Sequence, residues 1–230
     1  MTGWILFSMK RIKVVLKLLI FLVALILLFL IGALVRINIK TKAIQDDFTS
    51  VYTDDKYHVP VYVDGVEVIT QDISCGYAVI EMFSAWNGGD ITEEALYNQY
   101  GKVITSNGDS FCEEMNKQFP QYKTTMHKYL TNTELIDTVY DNLSDGIPVP
   151  FEWAALCDDE WTLHYSLVTG MDVINDKVTV ANPYGYNEEI SLNEFLARTR
   201  YEAYDNMPLF LKLGFASGIF EKNTVFTVEK

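Results

Sequence analysis

The sequence predicts an α+β domain preceded by one apolar helix that is long enough to cross a membrane. An unbroken apolar run occupies residues 18–35. In the chain that follows it, helix-forming segments come first and β-rich segments come last. Helices followed by strands, without regular alternation, favour an α+β domain with a mainly antiparallel sheet.

The apolar run has 18 residues, the threshold length for a membrane span. It is long for the apolar part of a cleaved signal, and its exit is a poor small-x-small cleavage site, so we favour an uncleaved anchor. Cleavage, which would leave a secreted domain, stays the alternative. Four basic residues before the run and three after it weakly favour a cytoplasmic N-terminus. The chain is therefore divided into a cytoplasmic basic segment (1–17), a transmembrane signal-anchor (18–35), a polar stalk (36–58) and one domain outside the cytoplasm (59–230).

The charge of the chain excludes one class of partner. All 31 acidic residues lie beyond residue 42, together with only 11 of the 18 basic ones. Binding of nucleic acid needs clustered Lys and Arg, so we expect no such partner. The cysteines form no CxxC pair and there are three histidines, which argues against zinc; we expect no metal and no cofactor. Bridged or separate thiols at Cys112 and Cys157, with Cys75 free, stay open alternatives.

Local signals define the elements of the domain. Asp64-Gly65 between two β-rich segments predicts a hairpin of residues 59–63 and 66–70. Thr131-x-x-Glu134 and Ser191-x-x-Glu194 are capping boxes that open helices. The predicted helices span residues 75–86, 92–100, 109–118, 131–143 and 191–200, and the later strands span 148–153, 165–171, 177–181, 209–213 and 224–228.

Cys75 is the first candidate for chemistry. Ser74 is a good N-cap residue, and apolar residues follow at helical spacing, so Cys75 falls in the first turn of an amphipathic helix. The helix dipole and the free N–H groups there favour a thiolate, the nucleophilic form of cysteine. The competing interpretation is a buried structural thiol.

His164 and Asn182 follow far downstream, and the order Cys, His, Asn is that of papain-type cysteine hydrolases. His164 would be the base and Asn182 would orient it. Gln71, four residues before Cys75, would bind the oxyanion together with the Cys75 backbone N–H. Each has a simpler interpretation: a solvated strand-end histidine, a turn residue before proline, and an ordinary loop glutamine.

The two strands that carry His164 and Asn182 can pair in two registers. A wide loop centred near Val173 sets residues 164 and 182 opposite each other. A turn at Asn175-Asp176, which the local residues favour, sets residue 164 opposite residue 187. The catalytic interpretation needs the first register.

Three segments at these residues resemble a known family. They are QDISCGYAVIEMF, LHYSLVTGMD and VTVANPYG. They resemble the nucleophile, histidine and acid blocks of the bacteriocin-processing, double-glycine-leader peptidases, and more closely the stand-alone peptidase family thirty-nine-like domains of the papain-like clan. The resemblance covers roughly residues 59–196. In that family the third residue is more commonly Asp.

This resemblance implies a papain-like fold, with the cysteine on a helix of the N-terminal part and the histidine and asparagine on the C-terminal antiparallel sheet. It implies Cys75 as nucleophile, His164 as base, Asn182 as the third member and Gln71 at the oxyanion hole. We therefore expect a bacterial, single-pass cell-membrane cysteine peptidase that acts outside the cytoplasm on a peptide or protein substrate. An inactive peptidase-fold binding or accessory domain at the cell surface is the alternative, and a transglutaminase-like transferase is a third possibility.

Overall fold

The computed structural model describes residues 2–202 and 206–230, without the side chains of residues 2–12, 37 and 216. Within these residues the chain forms seven helices and one antiparallel sheet of seven strands. The helices are α1 (Thr2–Ala43), α2 (Cys75–Trp86), α3 (Glu93–Tyr100), α4 (Gly108–Gln118), α5 (Asn132–Ser144), α6 (Leu192–Thr199) and α7 (Leu209–Ser217). The strands are β1 (Val61–Tyr62), β2 (Lys123–His127), β3 (Val149–Cys157), β4 (Glu160–Asp172), β5 (Lys177–Asn182), β6 (Tyr186–Ile190) and β7 (Thr224–Glu229).

The sheet has the strand order β2-β7-β3-β4-β5-β6, and β1 also pairs with β4. Alternate side chains leave a strand on opposite faces, so two hydrophobic clusters form. One contains Phe151 and Val168 of the sheet and packs under α5 and α6. The other contains Tyr165 and Leu167 and packs under α2 and α4. The prediction of an α+β domain with an antiparallel sheet is confirmed.

The helix starts predicted from capping residues are confirmed. Thr131 and Glu134 form the predicted capping box of α5, and the Ser191 side chain accepts from the Glu194 N–H at the start of α6. Ser74 and Thr92 cap α2 and α3. The capping residue satisfies N–H groups that the helix itself leaves free, which is why these short motifs locate the ends so well.

Two strand predictions are wrong. Residues 66–70 form no strand, and β1 pairs instead with the end of β4, with Val61 opposite Met171. Residues 209–213, predicted as a closing strand, begin α7. Its run of Leu and Phe residues fits either a buried strand or a helix face, and periodicity cannot separate them in so short a segment. β2 and β6 were not predicted.

The predicted stalk does not stand free of the domain. α1 continues through the apolar run to Ala43, and two short 3-10 helices follow at Thr49–Thr53 and Asp55–Tyr57. Val51 and Tyr57 are buried in the cluster that contains α5, and Asn132 donates to the Asp46 carbonyl at 2.8 Å. The predicted basic segment begins at Met1, which lies outside the described residues.

Within the described residues, α1 is the one helix long and apolar enough to cross a membrane, and its apolar part is not buried by the domain. All three cysteines are free thiols, Cys75 and Cys112 partly buried and Cys157 exposed. A bridge between Cys112 and Cys157 therefore does not form in this structure.

Candidate active site

The first turn of α2 holds Cys75 where the sequence placed it. The Ser74 side chain accepts from the Tyr77 N–H at 3.2 Å and fixes the helix start. Hydrogen bonds hold the loop that precedes α2 at two points. Glu93 accepts from the N–H groups of Asp72 and Ile73, both at 2.8 Å, and the Gln71 N–H donates to the Pro183 carbonyl at 2.8 Å. The second bond joins the start of α2 to the turn that follows Asn182.

Gly76, the residue after Cys75, allows α2 to pack closely against Thr105. A Cβ at this residue would lie 2.3 Å from the Thr105 hydroxyl oxygen, well inside contact distance. Glycine is required here because α2 packs against Thr105. Any room for a substrate beside Cys75 is secondary to this contact.

His164 lies on β4 opposite Trp153 of β3, with its side chain only 1% exposed. β5 ends at Asn182, and continuing the register of Leu167 with Ala181 sets Asn182 opposite Ser166. Residues 160–165 of β4 therefore have no partner on the β5 side. Cys75 packs against the cluster that contains Tyr165 and Leu167 of β4. The Tyr165 backbone N–H lowers the pKa of the Cys75 thiol. His164 directly precedes Tyr165 in β4.

The observed register is neither of the two expected from the sequence. Asp172 pairs with Lys177 and Gly170 with Thr179, but Val168 pairs with Val180, so Thr169 is an extra residue in β4. This β-bulge shifts the register by one residue. Without it, Asn182 would face Leu167 and its side chain would leave the sheet on the face opposite to that of His164. With it, the two side chains share a face.

His164 and Asn182 make the contact that the catalytic interpretation requires. The imidazole Nε2 and Asn182 Oδ1 are 3.0 Å apart, and both residues are buried. Asn182 Oδ1 also accepts from the Tyr184 N–H at 3.0 Å, and Asn182 Nδ2 donates to Glu188 Oε2 at 3.2 Å. With the amide oxygen facing the ring, Nε2 must carry the proton, which leaves Nδ1 as the basic atom.

Glu188 and Arg198 extend this network and were not predicted. The Arg198 guanidinium pairs with Glu188 Oε1, donates to the Ala154 carbonyl at 2.8 Å and lies 3.5 Å from the centre of the Trp153 ring. Its side chain is 3% exposed. Sequence alone gives no signal for this pair, because Glu188 and Arg198 meet only after β6 and α6 have formed.

Tyr184 covers the imidazole. Its ring stacks on that of His164, with centres 4.1 Å apart and planes inclined by 23°. The Tyr184 hydroxyl lies 3.1 Å from the Thr162 hydroxyl. The residue two positions after Asn182 thus covers the His164–Asn182 contact. Trp153 donates from its indole N–H to Ser166 at 3.0 Å.

Burial shifts the pKa values of both reacting groups toward their neutral forms. It raises the pKa of Cys75 to about 11, against an opposing effect of the N–H groups of Tyr165, Gly76 and Cys75 itself. It lowers the pKa of His164 to about 4, and the Arg198 charge lowers it further while Asn182 opposes. The shift at Cys75 is opposite to the one expected from the helix start. A thiolate or an imidazolium alone is therefore costly here, and the two charges offset each other only if they form together.

Gln71 lies next to the site through its bond to Pro183. Its side-chain oxygen is buried without a hydrogen-bond partner. Rotation of the amide about its last bond exchanges this oxygen for an N–H. Within the described residues, no hydrogen bond joins Gln71 to Cys75, or the Cys75 thiol to His164. The structure therefore brings His164 and Asn182 into contact. Gln71 is linked to the turn after Asn182 through Pro183, and Cys75 packs against the cluster that contains Tyr165, the residue after His164.

Glu152 is a further buried acid behind the site. It accepts from the Tyr165 hydroxyl at 2.7 Å, and burial raises its pKa to about 7. Its carboxylate, when charged, raises the pKa of Cys75. No group of the described residues that could hold a metal ion was found.

Comparison with known proteins adds a family. A sequence profile of the Peptidase_C39 like family matches residues 63–208, well over half of the chain. No curated protein matches the chain. Among solved structures, the chain is similar to a double glycine motif protease from an AMS/PCAT transporter, in complex with the leader peptide. The identity is 14%, the TM-score is 0.46, and the match covers 74% of this chain and 96% of that one.

The raised pKa of Glu152 predicts a pH dependence of stability. An acid whose pKa is raised on folding stabilises the fold below its unfolded value and loses that contribution as the pH rises through the folded value. Between pH 4.5 and about 7 the wild type should therefore lose stability relative to Glu152→Gln. The loss is at most about 3 kcal/mol, at roughly 1.4 kcal/mol per pKa unit.

Denaturant unfolding of the full chain in mild detergent, followed over pH 4–8, measures this difference. Glu160→Gln, an exposed glutamate on β4, controls for the loss of one negative charge. If the curves of wild type and Glu152→Gln stay parallel over this range, Glu152 does not titrate on unfolding as its burial implies.

Proposed function

Since the chain belongs to the Peptidase_C39 like family, we propose that it is a cysteine peptidase with Cys75 as nucleophile, His164 as base and Asn182 as the residue that orients His164. Family membership supports the cysteine peptidase fold, and activity is the further step. The observation that carries this step is the buried contact of 3.0 Å between His164 Nε2 and Asn182 Oδ1 beside the start of α2. A buried structural histidine would also need a partner for its N–H. What favours catalysis is that this contact leaves Nδ1 basic and lies next to the turn that is hydrogen-bonded, through Pro183, to the loop before Cys75.

The chemistry would begin with a neutral pair. As Cys75 Sγ attacks the carbonyl carbon of an amide, its proton passes to Nδ1 of His164, so that the two charges form together and neither is buried alone. The carbonyl oxygen becomes an oxyanion, held by the Cys75 N–H and by the Gln71 amide. In many unliganded sites such contacts tighten only when the substrate binds, which is consistent with the absence of a thiol–imidazole bond in the described residues.

The second half of the reaction returns Cys75 and His164 to their starting protonation states. His164 gives its proton to the leaving amine as the tetrahedral intermediate collapses to a thioester. Water then attacks this thioester, losing a proton to Nδ1, and the carboxylic acid leaves as the proton returns to Sγ. Throughout the reaction, the Nε2–H group of His164 stays hydrogen-bonded to Asn182 Oδ1, and Tyr184 keeps water away from this contact.

Glu188 and Arg198 are positioning residues in this proposal. Asn182 can turn either end of its amide toward the ring, and only the oxygen keeps the proton on Nε2. Glu188 accepts from Asn182 Nδ2 and so fixes the orientation of the amide, while the buried Arg198 pairs with the partly buried Glu188 and holds it in place.

The substrate class and location follow from the family and from α1. We propose a peptide or protein substrate, and an enzyme held by α1 in the cell membrane with its domain outside the cytoplasm. The acidic domain still argues against nucleic acid as a partner. The alternative function, a binding or accessory domain without activity, is favoured by one observation, the burial of His164, and the tests below decide between them.

We predict that iodoacetamide labels Cys75 at least about tenfold faster at pH 6 in the wild type than in His164→Ala, well below the ordinary thiol pKa of about 8.5. The reason is that only His164 can take the thiol proton at this pH. Labelling is quantified by mass spectrometry of the peptide that contains Cys75. Cys112 in the same sample is the internal control, and its rate should not respond to His164→Ala. Equal rates at Cys75 in the two proteins would leave the inactive binding domain as the better interpretation.

We predict that Asn182→Asp and Glu188→Gln are coupled. In Asn182→Asp the new carboxylate meets that of Glu188 where Asn182 now donates at 3.2 Å, and the two like charges repel. In Glu188→Gln the Arg198 guanidinium loses its nearer carboxylate and keeps only the more exposed one of Glu194 at 3.6 Å. Each single variant should lower kcat about tenfold or more with little change in KM, because the base is misaligned.

The double variant Asn182→Asp/Glu188→Gln should recover part of this loss, because the carboxylate at position 182 then supplies the charge that Arg198 needs nearby. A coupling free energy of about 0.5–3 kcal/mol is typical of groups in one network. The matched control is Glu189→Gln, the same change on the next residue of β6, where the exposed side chain pairs with Lys177. Additive effects in the double variant, or an equal loss in the control, contradict the positioning role.

A further inference from the structure

The outer face of α7 is apolar and has no cover within the described residues. Leu209, Phe210, Leu213 and Ile219, the last just beyond the helix, are between 48% and 72% exposed. The inner face is buried, with Leu211 and Phe215 packed in a small cluster at the end of the sheet. Adjacent exposed residues of this size form a patch rather than the scattered apolar residues of an ordinary surface.

This patch continues the apolar surface of α1. α7 packs directly against α1, and a cavity between them of about 390 Å³ is lined by Phe29, Leu30 and Ala33 from α1 and by Phe210 and Leu213 from α7. Phe29 and Ala33 lie six and two residues before the end of the apolar run at Val35. At 1.5 Å per residue, α7 is therefore about 3–9 Å below the end of that run.

The distribution of charged residues on α7 and at the end of α1 is also compatible with a membrane surface. The segment of residues 206–220 contains no acidic residue and a single basic one, Lys212, although the domain as a whole is strongly acidic. Arg36, Lys40 and Lys42 follow the apolar run on α1. Acidic side chains are thus absent from the segment of residues 206–220, which packs against the end of the apolar run.

We propose that α7 lies in the interface of the bilayer that α1 crosses, with Leu209, Phe210, Leu213 and Ile219 among the lipid chains of the outer leaflet. The partner is the lipid surface itself. This inference rests on the proposed function insofar as α1 must span the membrane. The depth of about 3–9 Å agrees with the roughly 5–10 Å to which interfacial helices bury their apolar face.

A consequence for the active site follows from the inner face of α7. Leu211 and Phe215 pack with Ala154, and Trp161 and Leu163 of β4 border the same cluster. Leu163 directly precedes His164. A helix seated in the interface would therefore hold the strand that carries the base at a fixed height above the membrane, and would restrict the domain to peptide bonds close to the bilayer surface.

The test uses the full chain, one copy per phosphatidylcholine nanodisc, with bromine atoms at defined depths in the lipid chains. Bromine quenches tryptophan fluorescence only at contact, so each variant with one added tryptophan is compared with the parent chain. Phe210→Trp should lose at least about half of its added fluorescence, most strongly with bromine near the lipid headgroups. Tyr97→Trp is the control, since Tyr97 is 41% exposed and lies on α3, which packs against α2.

A third variant, Phe21→Trp, reports on α1 alone. Quenching at position 21 with none at position 210 would overturn the inference while leaving the membrane anchor intact. Absence of quenching at both positions would instead show that α1 does not span the bilayer, and the anchor itself would fail. Because each disc holds one copy, a second copy of the chain cannot cover the patch. If the added tryptophan at position 210 is shielded from water but is not quenched by bromine, this result would therefore count against lipid as the partner.

Discussion

The pairing of β4 with β5 is the constraint on which the candidate site depends. Asn182 must leave the sheet on the same face as His164, and side chains in a strand alternate between faces. The register set by the turn alone would put Asn182 on the wrong face, and the one extra residue at Thr169 corrects it. A bulge is a local distortion, yet here it decides whether two buried polar groups meet or are each left without a partner. The cost of the second outcome explains why the register is held.

The polar groups around His164 and Asn182 must then all have hydrogen-bond or ion-pair partners. Each polar end of Asn182 is used, the oxygen by His164 and the Tyr184 N–H, and the nitrogen by Glu188. The charge of Glu188 is matched by Arg198, which also lies on the ring of Trp153 and bonds a strand carbonyl. Such a network is rigid because removing any member leaves a buried group unsatisfied. The same burial that makes it rigid also makes a lone charge on His164 or Cys75 costly, so reactivity needs a proton that moves within the pair.

Sequence predicted the parts of this site that have local causes. Ser74 and the apolar spacing after it located the start of α2, and the order of Cys75, His164 and Asn182 is the basis of the chemistry that we propose. The register was not predictable, because a bulge at Thr169 leaves no local signature and turn residues favoured another pairing. Tyr184, Glu188 and Arg198 were missed for a related reason: a stacked tyrosine and a buried ion pair are defined by tertiary contacts between β6, α6 and the sheet. α7 was mistaken for a strand because its apolar residues serve two environments, protein on one side and, in our proposal, lipid on the other.

The identity of residue 182 follows from what lies behind it. A carboxylate there would orient the imidazole as well as an amide does and would favour its charged form, which is why Asp suits this position in other settings. In this chain Glu188 already occupies the space behind, with an oxygen 3.2 Å from Asn182 Nδ2. Two carboxylates at that distance cannot both be ionised in a buried site without a large cost. An amide resolves the conflict, since it accepts from His164 and donates to Glu188 at once. The negative charge near the proposed triad thus lies on Glu188 and not on residue 182, and Arg198 balances it. His164 keeps its tautomer while its pKa stays low.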